Sequence, residues 1–205
     1  MVCTVTDDAA ERLRLALTGL EVLWRQVDPA LVERLAPGLS TEALDDVESR
    51  LGVTLSSEAR AWFGWHDGTG STMTDVSRAG GSFEMFVPMF WAETLYGELA
   101  QEGRERAGDL GVPPEDAYWS PSWFPILHGG NGSYTGVDCS VPLGKASPVF
   151  QTHKEGDPHR VSSSLAEVVE WWIELSERGI RTCGDGVWSQ DEDRDLDFAR
   201  KYRWV

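Results

Sequence analysis

Apolar residues recur at helical spacing over residues 8–27, where Leu13, Leu17, Leu20, Val22, Leu23 and Val27 include positions three and four apart. Asp8 and Glu11 have capping-box spacing at its start. Asp28-Pro29 ends it, because proline pushes its predecessor out of the α region. A short helical piece over Ala30–Leu35 follows, before Pro37-Gly38. A helix capped by Ser40 or Thr41 then carries Leu44, Val47 and Leu51 on one side, with Glu42 suited to the dipole. Gly52 stands where a left-handed residue ends a helix. A second helix, capped by Ser56 or Ser57, turns Ala59, Trp62 and Phe63 inward and ends near His66-Asp67-Gly68. The tight connection predicts that these two form an antiparallel unit.

The middle of the chain changes period. Residues 70–81 are rich in Gly, Ser and Thr and read as a loop. Phe83, Met85 and Val87 alternate, which predicts a strand over Ser82–Phe90. A helix is predicted over Trp91–Gly108, weakened by Gly97 and Gly103. Three prolines make Gly108–Pro121 a connection, and the region near 91–121 reads as an insertion. Short strands follow at Trp123–Leu127, Tyr134–Cys139 and Pro148–His153, with Pro125 marking an edge or bulge. The glycines and Asn of 128–133 predict a hairpin turn. Gly156-Asp157-Pro158 predicts another, with Arg160–Ser163 extended after it. Leu165, Val168, Val169, Trp172 and Leu175 form one stripe of a helix over Ser164–Arg178, stopped by Gly179. Ser189 and Glu192 have capping-box spacing before a charged helix to about Tyr202. Helices, then a run of antiparallel strands, then a helix give the class α+β, as a single domain. Residues 1–35 read as an N-terminal helical extension, 36–180 as the domain proper, and 181–205 as an acidic C-terminal extension.

Charge narrows the function. Eighteen Lys and Arg face 34 Asp and Glu among 205 residues, a net charge of −16. That field repels phosphate backbones and anionic membrane surfaces, so neither nucleic acid nor membrane is an expected partner. No apolar run is long enough to span a bilayer, and the first residues lack the pattern of a secretory signal. Three distant cysteines, Cys3, Cys139 and Cys183, argue for a reducing compartment, and hence the cytoplasm. Fifteen of the 18 cations are Arg, a codon-level hint of a GC-rich bacterial genome.

Three separated patches resemble one family. The first is Leu39-Ser-Thr-Glu-Ala-Leu-Asp-Asp-Val-Glu48-Ser-Arg-Leu51-Gly52-Val-Thr-Leu55 with the helix closing at His66-Asp67-Gly68. The second is Trp123-Phe-Pro125-Ile126, then Gly132, then Tyr134–Asp138. The third is Pro148-Val149-Phe150 with the helix Ser163–Trp172. Over roughly 36–178, these resemble the SMI1/KNR4 (SUKH) superfamily, with Ser56 in place of a usual proline and Asp67 in place of a usual Asn. The resemblance does not account for 68–121 or for the tail after 180. It implies an antiparallel or mixed sheet packed against N-terminal helices and a C-terminal helix. It also implies a non-catalytic domain without cofactor. Bacterial members are mostly immunity proteins that neutralise a toxin, frequently a nuclease or deaminase, while fungal members regulate through protein contacts.

The residues themselves offer weaker chemistry. His153 and His159 flank Glu155 and Asp157, but the spacing fits no metal motif, so no metal is expected. Cys139 with His128 or His153 forms a candidate nucleophile pair for a small hydrolase, without a supporting local motif. Gly129-Gly-Asn-Gly132 lacks the Lys and the strand–loop–helix setting of a phosphate loop. In Gly132-Ser-Tyr-Thr-Gly136 the serine is one place too early for a nucleophile elbow. Of ten tryptophans, Trp65, Trp119, Trp188 and Trp204 fall near loops or ends, where a half-exposed indole either anchors an interface or covers the small sheet. Six carboxylates between Asp185 and Asp197 add to an anionic exterior. The expected activity is therefore binding of a basic toxin domain through the sheet and its loops, with Asp67, Asp138, Glu155, Asp157, Trp65 and Trp119 as candidate contacts. The alternative is a regulatory or scaffolding domain unrelated to toxins.

Overall fold

In the first helix Leu13, Leu17, Leu20 and Trp24 stand four, three and four apart, and all are buried. They form the inner stripe of α1 (Asp8–Val27), while Val22 and Val27 face outward. Trp24 therefore carries the contact that periodicity alone gave to its neighbours. Asp8, expected as the cap, is already helical. The computed structural model describes residues 8–68, 84–129, 132–153, 156–184, 187–191 and 194.

Local side chains close most helices. Asp28 Oδ1 accepts from Leu31 N at 3.2 Å and starts α2 (Pro29–Arg34). Ser40 Oγ accepts from Ala43 N to open α3 (Thr41–Leu51), and Gly52 ends it at φ 66°. Ser56 Oγ accepts from Ala59 N to open α4 (Ser57–Trp65). α3 and α4 meet through side chains: Arg60 pairs with Asp45 and Glu48. The backbone of α4 lies instead against α1, so the expected two-helix unit is part of a larger helical layer.

β1 (Glu84–Phe86) is shorter than the alternation predicts. Pro88 stands directly before α5 (Met89–Leu110), which runs unbroken through Gly97, Gly103 and Gly108. α6 (Pro114–Ala117) follows. Next come β2 (Trp123–Gly129), β3 (Tyr134–Asp138), β4 (Val149–His153) and β5 (Gly156–Ser162). All five strands pair antiparallel in the order β1-β2-β3-β4-β5. Pro125 sits at a bulge between Pro125 and Leu127, as its missing N–H requires. Asp157 and Pro158, expected in a turn, lie within β5. β5 is the edge strand and is irregular between Gln151 and His153 of its partner, so proline costs no ladder bond there.

α7 (Leu165–Glu177) starts at Ser164, whose Oγ accepts from Glu167 N. The expected charged helix does not begin at Ser189. Instead β6 (Arg181–Gly184) and β7 (Val187–Gln190) form a hairpin, with Ser189 Oγ against Thr182 Oγ at 3.1 Å. Asp191 Oδ1 accepts from Arg194 N at 3.2 Å. The rest of that predicted helix, and the predicted loop over 70–81, lie outside the described residues.

The two sheet faces are packed differently. Phe86, Phe124, Val137 and Val149 face the helical layer of α1, α4 and α7. Phe86 stacks on Trp62 at 5.1 Å and meets Trp24 and Trp172 edge-on. On the other face Trp123 stacks on Phe150 at 4.2 Å. Beside them Trp119 is wedged between α5 and β3. A Cβ on Gly103 would lie 2.2 Å from the Trp119 carbonyl oxygen, and one on Gly136 would lie 2.5 Å from its indole ring. Tyr118 and Trp119 are both buried, so the region expected as an insertion contributes to the core. The chain flanks do too. Asp28 Oδ2 accepts from the Trp188 indole at 3.0 Å, tying the α1–α2 corner to β7.

One carboxylate joins three parts of the fold. Glu58, in the first turn of α4, is fully buried. Its Oε2 accepts from Ser147 N at 2.6 Å and Leu165 N at 3.3 Å, and its Oε1 accepts from Ala166 N at 3.0 Å. Leu165 and Ala166 open α7, so Glu58 caps that helix from a distance. Burial pushes the carboxyl above its usual range, against the pull of these donors. With the folded value above the unfolded one, the folded chain binds the proton more readily. The contribution of this group is thus complete below 4.5, its ordinary value, and declines as pH rises through the raised one. Glu58→Gln places an amide nitrogen against backbone N–H groups. It is expected to lower the unfolding free energy by about 2–4 kcal/mol, read by urea denaturation. It is also expected to remove the part of the pH dependence that develops above pH 4.5.

Candidate functional site

The candidate nucleophile is placed wrongly for its histidines. Cys139 follows Asp138, whose partner in β2 is Trp123. His128 pairs instead with Tyr134, and His153 lies just past Thr152, which also pairs with Tyr134. Both histidines are thus about 16 Å of strand away from Cys139, far beyond hydrogen-bond reach. Burial first, then the negative charges of Asp138 and Glu48, push the Cys139 thiol up to about 11 despite hydrogen bonding to Ser56. A nucleophile needs the thiolate, and this environment holds the thiol. The rings of His153 and His159 stack at 6.0 Å. Among the described residues no group of three or more His, Cys, Asp or Glu is disposed to hold a metal.

The candidate contact residues do not form one patch. Asp67 is a positioning residue: its Oδ1 accepts from Met89 N at 2.6 Å, the first N–H of α5, where Pro88 has no side chain to cap with. Burial raises its carboxyl above the ordinary range, opposed by that N–H. Gly68 follows at φ 67°, and a Cβ there would stand 3.1 Å from Pro88. Trp65 is half-buried, its indole donates to Glu21 at 3.1 Å, and its ring packs on Trp24 and Trp62. Its remaining edge borders a groove of about 470 Å³ with Arg14, Leu17, Leu44 and Arg60. Trp119 is 0% exposed and its indole donates to the Trp123 carbonyl. It is a core residue with no surface to offer a partner. Asp138 and Asp157 are on the surface at opposite ends of the sheet, and Glu155 lies outside the described residues.

Two surface features escaped the sequence reading. Along α5, Glu98, Glu102, Glu105 and Asp109 stand four, three and four apart, a single outward line. Tyr134 registers it: burial first, then Glu102 and Glu98, raise its phenol. The line ends beside Leu110 and Val112, which are 66% and 39% exposed, and Glu115 and Asp116 of α6 follow. α6 packs on β5, the strand that carries Asp157. The i, i+4 spacing was visible in the sequence. The second feature is a cleft of about 250 Å³ beside Asp138, where the α3–α4 connection meets α5 and the start of β2.

Comparison with known families matches the model of the SMI1 / KNR4 family (SUKH-1) to residues 38–171, more than half of the chain. The chain belongs to the SMI1/KNR4 family. No curated protein gives a significant match. The SMI1/KNR4 match runs through 68–121, which the resemblance left aside. Its motif residues are structural here. Glu48 Oε1 accepts from Leu55 N at 2.8 Å, and Gly52 between them takes the left-handed turn, so the Glu-Leu-Gly-Leu pattern is a self-closed loop. Asp67 replaces an Asn of the SMI1/KNR4 pattern, and either side chain presents the oxygen that α5 requires.

Asp67→Asn is accordingly expected to change stability by less than about 0.5 kcal/mol, and Asp67→Ala to cost about 1–2 kcal/mol in thermal or urea unfolding. Alkylation at Cys139, followed by mass spectrometry of its peptide, is expected to be slow at pH 8, where about one thiol in a thousand is ionised, and to rise about tenfold per pH unit toward pH 10.

Proposed function

We propose that this SMI1/KNR4 domain is an immunity protein, a non-catalytic binding module of the bacterial cytoplasm that neutralises a cognate toxin of a polymorphic toxin system. A nuclease or deaminase domain is the fitting target. Such domains handle nucleic acid and present basic surfaces, and the partner face of an inhibitor is then anionic. The observation that carries the reading is the carboxylate line Glu98, Glu102, Glu105 and Asp109 beside the exposed Leu110 and Val112, on a chain of net charge −16. Carboxylates raise the association rate with a basic partner, and the apolar tip adds contact area. Among the described residues, Asp157, on the strand against which α6 packs, is the one sequence-predicted contact on the same side as this line. An interface of about 800 Å² per side is ample for tight neutralisation.

The test is co-expression with the toxin encoded beside its gene. Growth is expected to be restored by the wild-type chain and the two proteins to co-purify. Replacing Glu98, Glu105 and Asp109 with Lys is expected to slow association at least about tenfold, measured by surface plasmon resonance at low salt. A toxin that kills equally well with or without this protein would remove the reading in favour of a regulatory or scaffolding role.

A further inference from the structure

The outer side of α1 carries a pattern that complements itself. Leu15 and Val22 are seven residues apart, so they share a face about 10 Å long, opposite the buried stripe of Leu13, Leu17, Leu20 and Trp24. They are 67% and 51% exposed. Between them Thr18 is small, and its hydroxyl already donates to the Arg14 carbonyl at 2.8 Å, so it brings no unmet polar group to a contact. A second helix can therefore approach to about 8–10 Å along this line. On the flank beside it stand Glu11, Arg14, Glu21 and Arg25, in the charge order minus, plus, minus, plus. From the other end the order is plus, minus, plus, minus. An antiparallel copy that sets Leu15 against Val22 thus sets Glu11 against Arg25 and Arg14 against Glu21, twice each by symmetry. Within one chain Arg14 pairs with Glu11 and Arg25 with Glu21. The second copy extends these pairs into one alternating network, and none of the four charges loses a partner.

Net charge decides which helices of this chain can meet their own copy. At −16 two chains repel, most strongly through their acidic helices. α5 carries five carboxylates against two arginines, and α7 carries four carboxylates and no base. α1 carries three of each, Asp8, Glu11 and Glu21 against Arg12, Arg14 and Arg25, so its own charges cancel. Of these helices it is the one that meets a copy of itself with least repulsion. Area sets the strength. α1 is about 30 Å long, and half the lateral surface of a helix about 11 Å across is about 500 Å². Two copies together then bury about 1,000 Å², the low end for a specific interface, so the association is weak and reversible.

We infer that the outer face of α1 is a self-association surface, and that its occupant is α1 of a second copy, packed antiparallel about a two-fold axis beside Thr18. The inference goes beyond the neutralising role proposed above and does not rest on it. Leu15 and Val22 supply the apolar contact, which water covers in the single chain. The alternating flank sets register and direction. A parallel pair would put Glu11 against Glu11 and Arg25 against Arg25, so the charge order selects against it. A strongly basic partner is drawn to the excess carboxylates of α5 rather than to a helix whose charges cancel.

The experiment is sedimentation equilibrium of the full chain from about 10 µM to about 1 mM. The apparent mass is expected to rise from 22.7 kDa toward twice that, with a Kd of about 0.1 mM. Leu15→Glu combined with Val22→Glu is expected to weaken pairing at least about tenfold, and both positions are exposed enough to leave the fold intact. Glu11→Arg alone and Arg25→Glu alone each bring like charges together twice and are expected to weaken it at least about fivefold. The two changes in one chain restore opposite charges across the pair and are expected to return Kd to within about twofold of the wild-type value. A variant that merely failed to fold would not be rescued in this way. A single-chain mass at about 1 mM, pairing untouched by Leu15→Glu with Val22→Glu, or no rescue in the charge-swapped chain would overturn the assignment. So would a wild-type chain that stays single and loses toxin capture on Leu15→Glu with Val22→Glu, since the face then belongs to the toxin.

Discussion

A carboxylate with no water around it must find donors in the protein, and Glu58 finds three backbone N–H groups. Two belong to the first turn of α7, and one belongs to the loop between β3 and β4. The helical layer and the sheet are therefore joined at a polar point inside an apolar core, where each bond is stronger than on the surface and each missing bond is costlier. The same point fixes where α7 starts, and so which of its residues face α1. Surface ion pairs such as Arg12 with Glu170 also join these helices, but exposed pairs contribute little. The buried cap sets the geometry and the exposed pair follows it.

The second constraint is aromatic. Phe86 fills the space between Trp24, Trp62 and Trp172 on one sheet face, and Trp119 fills the space between α5 and β3 on the other. The Trp119 wedge depends on small neighbours. Trp119 fits because Gly103 and Gly136 have no Cβ, so an added methyl at either site would meet an atom that cannot move away. This close approach explains why α5 tolerates a glycine at mid-length, where propensity alone disfavours it. Most of the tryptophans are thus spent on the core.

What the sequence made legible was what its local chemistry decides. α3, α4 and α7 begin where Ser40, Ser56 and Ser164 cap them, and Gly52 and Gly179 lie past their ends. The Pro125 bulge followed from a missing donor. The errors have tertiary causes. Trp119 reads as exposed because prolines surround it, while its burial depends on glycines 16 and 17 residues away. Asp157-Pro158 reads as a turn unless the strand is known to be at an edge. β6 and β7 were missed although Asp185-Gly186 between them is a strong hairpin pair, because the neighbouring carboxylates suggested a capped helix. Glu58 looked like an ordinary first-turn acid. Nothing local says that its oxygens reach residues about 90 and 108 positions on.

The candidate site divides the same way. The carboxylate line on α5 is a local spacing and was readable. The cleft is assembled from the α3–α4 connection, Tyr96, the start of β2 and Cys139, and no single segment signals it. The residues that resemble the SMI1/KNR4 pattern most closely, Glu48, Gly52, Leu55 and Asp67, hold the scaffold. In this chain the self-closed loop at Glu48 serves both ends: it stabilises the entry to α4 and forms one wall of the cleft.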